Sequence, residues 1–75
     1  MGEIIDILVI KNLSEILKRR RAELGYTYET LAVKLGISVA QLMQYEMLPE
    51  ASLTQDMMDT VVNVLKVDET ELKMS

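Results

Sequence analysis

The chain has 75 residues, 49% of them apolar and 27% charged, and a net charge of −4, with neither cysteine nor histidine. That describes one small folded domain rather than a disordered segment, since a domain usually takes ~100–200 residues. It excludes disulfides, thiolate metal sites, thiol catalysis and a Ser-His-Asp triad, and no apolar run approaches the ~20 residues that cross a bilayer.

The charge is unevenly spread. Residues 1–47 hold six basic and six acidic groups, whereas residues 48–75 hold two basic and six acidic ones. Four of the eight basic residues form one run, Lys18-Arg19-Arg20-Arg21. The chain is polarised, so its mean charge is a poor guide to its partners.

The first segment, Glu3–Ile10, is dense in β-branched residues. Strand alternation places Ile5, Ile7 and Val9 on one face and Ile4, Asp6, Leu8 and Ile10 on the other. Both faces are largely apolar, which leaves two readings. One is a flexible or helical extension packed on the domain. The other is a strand paired with its copy in a second chain, because a lone strand leaves its backbone unsatisfied. It lacks the basic start and small-residue cleavage site of a signal peptide.

The first helix starts at Asn12 or Ser14, carries Leu13, Ile16, Leu17 and Leu24 as one stripe, and stops at Gly25. The second opens at Thr27, buries Leu31, Ala32 and Leu35, and ends at Gly36. Ser38 caps a third helix to about Glu46, with Leu42 and Tyr45 inward. Pro49 breaks the loop 47–52. A fourth helix begins near Ser52 or Thr54 and ends near Lys66, with Leu53, Met57, Val61, Val64 and Leu65 as its core face. Asp68 and Glu71 form the capping box of a short last helix anchored by Leu72. Five short helices predict an all-α domain over residues 12–75, preceded by an extension over residues 1–11.

The function lies in one spacing. Only Gly36-Ile37-Ser38 separates the second and third helices, and so short a turn produces a helix-turn-helix. Ala32 allows close approach of the two helices, and Gly36 supplies the unusual backbone angle of the turn.

Residues Ser14–Leu72 resemble the phage-repressor/Cro-like helix-turn-helix family. The resemblance rests on Leu24-Gly25-Tyr26-Thr27, on Leu31-Ala32-Val33-Lys34-Leu35-Gly36-Ile37-Ser38, on Leu42-Met43-Gln44-Tyr45-Glu46 and on Val62-Asn63-Val64-Leu65-Lys66-Val67. It implies a five-helix, lambda-repressor-like fold, sequence-specific binding to double-stranded DNA, and homodimers on near-palindromic sites. The third helix would enter the major groove, with Ser38, Val39, Ala40, Gln41 and Gln44 at base edges. Thr27 and Tyr28 would meet the phosphate backbone, as would Lys18, Arg19, Arg20 and Lys34. Gln44 suits a bidentate contact to adenine, and Val39 or Ala40 a thymine methyl group. Arg21 and Glu46 match the family's recurrent pair between the first and third helices. Gln41 and Gln44 equally suit a solvated helix surface, and the arginines a solvated face.

Several positions depart from the family pattern. Thr27-Tyr28 stands where a polar pair is usual, the third helix opens with the apolar Val39-Ala40, and no Lys or Arg lies between Lys34 and Lys66. Fewer phosphate contacts mean weak binding. Met43, Met47 and Leu48 form an apolar group near the third helix, which suits a protein partner. The alternative is therefore a helix-turn-helix scaffold for protein binding, such as an antitoxin, anti-repressor or regulatory subunit. Dimer contacts are expected from Ile5, Ile7, Val9, Met58 and Val62. The overall expectation is a cytoplasmic, non-enzymatic transcriptional regulator, a repressor, with no cofactor, metal, small-molecule ligand or membrane contact.

Overall fold

The computed structural model describes residues 7–73. The elements run in the order β1 (Ile7–Ile10), α1 (Leu13–Leu24), α2 (Tyr28–Leu35), α3 (Val39–Met47), β2 (Ala51–Thr54) and α4 (Gln55–Leu65), followed by one 3-10 turn at Glu69–Glu71.

Four of the five expected helices are α-helices, and the fifth is that single 3-10 turn. Asp68 and Glu71 form the expected capping box there, with the Asp68 N–H donating to Glu71 Oε2 at 3.0 Å. The helix boundaries follow from local chemistry. Gly25 and Gly36 take left-handed φ values of 71° and 72° and end α1 and α2. Thr27, Ser38 and Thr54 each accept the N–H three residues on, starting α2, α3 and α4. Asn12 holds the cap position of α1 without capping it. Its side chain instead donates to Glu71 O at 2.9 Å and accepts from Lys73 N–H at 2.7 Å, tying the start of α1 to the last residues described.

The expectation of an all-helical domain needs one correction. Residues 7–10 are a strand whose partner lies in the same chain. β1 pairs antiparallel with β2, with Ile7 opposite Thr54 and Ile10 opposite Ala51. Residues 51–54 were expected as loop and the start of the fourth helix. Their alternation explains the strand: Ala51 and Leu53 are buried while Ser52 and Thr54 are exposed. On the facing strand Ile10 is fully buried, so residues 7–10 share the core of the helices.

That core joins Leu13, Ile16 and Leu17 of α1, Leu31, Ala32 and Leu35 of α2, Leu42 of α3, and Met58, Val61 and Leu65 of α4, closed by Val67 and Leu72. Leu24 and Tyr45, expected inside, are half-buried. On α4 the inward face is rotated from the expected one. Met58 is 0% exposed, whereas Met57 and Val64 only flank the core. Thr54 both ends the strand and caps the helix, which starts at Gln55. No described helix is long and apolar enough to cross a membrane.

Candidate nucleic-acid interface

The turn between α2 and α3 is held by its own backbone. Gly36 N–H donates to Val33 O at 3.1 Å and Ile37 N–H to Ala32 O at 3.0 Å. Ala32 is buried at this approach, where a larger side chain would wedge the helices apart. At the start of α3, Ser38 Oγ accepts from Gln41 N–H at 3.1 Å. At the start of α2, Thr27 Oγ1 accepts from Thr30 N–H at 3.1 Å and its hydroxyl donates to Thr30 Oγ1 at 3.0 Å. Each cap satisfies one backbone donor of its first turn. The remaining donors and the positive end of the helix dipole suit an anion at both helix starts.

One guanidinium fastens three helices. Arg21 of α1 donates through Nε to Glu46 Oε2 at 3.0 Å and through Nη2 to Glu46 Oε1 at 3.1 Å. Its Cζ lies over the Tyr28 ring at the start of α2, 4.2 Å from the ring centre. Glu46, on α3, is 3% exposed and the Arg21 side chain 22%. The hydrogen bonds to Glu46 raise the Arg21 pKa above the usual arginine value. Burial works against them, and the Glu46 charge adds to them. A forked, charge-assisted contact has directional demands on both partners. It therefore sets how α3 sits against α1, and the Tyr28 ring brings the start of α2 into the same joint.

The exposed face of α3 consists of Ala40, Gln41, Met43, Gln44 and Met47. Gln41 Nε2 donates to the Tyr45 hydroxyl at 3.3 Å, which engages its amide donor within the helix. Gln44 makes no side-chain hydrogen bond among the described residues. Val39 is half-buried against the core, and Ser38 is exposed at the cap. The i, i+4 spacing of Gln41 and Tyr45 was a readable sign of their contact. Tyr45 had been assigned only to the interior.

The basic run does not act as one patch. Arg20 donates through Nε to Leu65 O at 2.9 Å, finishing the end of α4, and meets Glu23 Oε1 at 2.8 Å. Arg19 lies 3.6 Å from Glu71. Successive helical residues turn by about 100°, so Lys18 sits about 60° from Arg21 around α1 while Arg19 sits about 160° away. Lys18 is exposed on the side nearer α3 and forms no ion pair among the described residues. Lys34 stands over the Tyr26 ring at 5.4 Å. Thr27 is exposed, and Tyr28 is half-buried against Arg21. The partners Glu23, Glu71 and the Leu65 carbonyl were not anticipated. Only the i, i+3 spacing of Arg20 and Glu23 announced one of them.

The residues assigned to self-association do not form one surface. Ile5 lies outside the described residues. Ile7 is exposed and Val9 half-buried on the outer face of the sheet, beside Thr54 and Ser52. Met58 is a core residue and offers nothing to a second chain, and Val62 is half-buried against the same core. Met43, Met47 and Leu48 are exposed, Met47 at 80%. An open depression of about 350 Å³ on α2 is lined by Glu29, Thr30, Val33 and Lys34. Among the described residues no cluster of acidic side chains could hold a metal ion.

Comparison with curated proteins and with solved structures gives no significant match. A family model described as helix-turn-helix matches residues 17–72. That span starts inside α1, covers the Arg21–Glu46 joint and the two capped helices, and ends at the buried Leu72. The chain therefore belongs to the helix-turn-helix family of the Cro/C1 type, whose members are DNA-binding regulators.

Proposed function

We propose that this protein is a sequence-specific repressor that lays α3 in the major groove of its operator. The observation that carries the reading is the joint of Arg21, Glu46 and Tyr28. It fixes α3 rigidly while leaving Ala40, Gln41 and Gln44 exposed. In this reading Ser38, Val39 and Ala40 lie nearest the bases. The starts of α2 and α3 meet phosphates, helped by Thr27, Lys18 and Lys34. Arg19 and Arg20 are engaged with Glu71, Glu23 and the end of α4, so few free cations remain. Affinity then depends on few counterions and is modest at physiological salt. Repression needs no chemistry, because a bound domain blocks the polymerase by occupying the site.

The protein acts in the cytoplasm as a homodimer, which matches the symmetry of a palindromic site. The outer edge of β1 suits the second copy better than α4 does. Ile7–Ile10 carries no charge, whereas the solvent face of α4 carries Asp56 and Asp59, which would repel their copies across a two-fold axis.

A specific observation favours a second reading. Met43, Met47 and Leu48 leave an apolar group beside α3, suited to a protein partner. Fluorescence anisotropy of a labelled mixed-sequence duplex, at low salt and then rising salt, separates the two. Binding at low salt that weakens as salt rises, with the shallow slope of a few phosphate contacts, supports the repressor. Absence of binding at low salt refutes it and leaves the protein-binding scaffold.

A further inference from the structure

The exposed face of α3 is uncharged, although more than a quarter of the chain is charged. The helix holds no Lys or Arg, and its one acid, Glu46, is buried against Arg21. Base edges in the major groove are distinguished by chemistry that follows from this. Guanine is read by Arg or Lys, and the cytosine amino group by Asp or Glu. None of these is available on α3. What is available is a carboxamide at Gln44 with both its donor and its acceptor free, and apolar groups at Ala40, Met43 and Met47. Ala40 and Met47 stand four and three residues from Gln44, so they flank it on the same helix face. An amide reads adenine through its amino group and ring nitrogen, and apolar groups meet the thymine methyl. Gln41 is less free to turn toward adenine in this way, because one of its two amide N–H groups donates to the Tyr45 hydroxyl.

We infer that the half-site selected by this protein consists of A·T base pairs, with adenine read by Gln44 and neighbouring thymine methyl groups met by Ala40 and Met47. The inference rests on the DNA-binding reading above. It adds that α3 presents no charged side chain with which to select G·C. Discrimination at the base pair under Gln44 then amounts to about 5- to 150-fold, which is the ~1–3 kcal/mol of one bidentate contact.

The test is selection from a randomised duplex at low salt, with the native protein, Gln44→Ala and Gln44→Arg run in parallel. Circular dichroism melts confirm that the three fold alike. The native protein is expected to enrich A·T half-sites. Gln44→Ala should lose enrichment at a single base pair while binding unselected duplex within about twofold of the native protein, since an uncharged contact adds nothing to the salt-dependent term. Gln44→Arg should turn that position to guanine. Enrichment of G·C by the native protein, binding without any enrichment, or an unchanged profile for Gln44→Ala overturns this inference while the DNA-binding reading stands. Failure to bind unselected duplex overturns both.

Discussion

Replacing Glu46 with alanine strands the Arg21 guanidinium. The substitution removes both acceptors, at 3.0 and 3.1 Å, from a pair whose carboxylate is 3% exposed. Breaking a buried pair costs ~3–5 kcal/mol, because a charge is left without its partner. Arg21 is 22% exposed and regains some water, which places the cost at the lower end, ~3 kcal/mol. A domain of this size holds only about 4–11 kcal/mol in all, so the loss is large. In a thermal melt followed by circular dichroism it corresponds to a fall in Tm of roughly 12–24 °C, at ~4–8 °C per kcal/mol. Glu46→Gln keeps the volume and one acceptor and should lose about half as much. The cycle Arg21→Met, Glu46→Gln and the double variant should show coupling of ~1–3 kcal/mol. Burial shields the pair, so the coupling should persist at high salt. Arg21 adds no pH dependence near neutrality. Its folded-state pKa is raised, so its contribution is complete below the unfolded value and is lost only as pH rises through the folded one, far into the alkaline range. A fall in Tm under about 4 °C for Glu46→Ala, or coupling that vanishes, would refute the claim that this joint sets the position of α3.

Four further outcomes follow from the same geometry. Gly36→Ala meets nothing within 4 Å, so its cost is only that of a left-handed alanine less the entropy the alanine removes from the unfolded chain, a net of about 1 kcal/mol by urea melts. Lys66 sits at φ 57° with a side chain, and Lys66→Gly reverses the same terms and should raise Tm by a few degrees; a lowered Tm contradicts the argument. Ser38→Ala loses the cap of α3 and ~1 kcal/mol, whereas Ser38→Asp keeps the cap and should weaken duplex binding by setting a negative charge near phosphate; unchanged binding by Ser38→Asp would place the start of α3 away from the DNA. Arg20→Met should cost ~1 kcal/mol in stability through the lost bond to Leu65 O, whereas Lys18→Met should leave the melt unchanged and lower the salt slope of binding by about 1; the reverse pattern would exchange their roles.

Much of the candidate interface was readable because its signals are local. Thr27, Ser38, Gly25 and Gly36 act on backbone groups within a turn of themselves, and Leu31, Ala32 and Leu35 bury wherever that helix forms. The Arg21–Glu46 joint spans 25 residues, and only the family resemblance pointed to it. The roles of Arg19 and Arg20 were not readable, since their partners Glu71 and the Leu65 carbonyl lie far along the chain. A run of four cations looks the same whether it faces phosphate or is engaged within the domain.

The amino-acid sequence by itself determined the capped helices, the three-residue turn and the uncharged composition of α3. Each depends on hydrogen bonds, φ preferences or side-chain chemistry within a few residues. The tertiary structure decided what depends on distance. Residues 7–10 became a strand because residues 51–54, more than forty positions away, satisfy one edge of their backbone. On α4 the packing against the other elements turned Met58 rather than Met57 into the core. Pairing and helix phase are properties of two segments at once, and neither segment carries them alone.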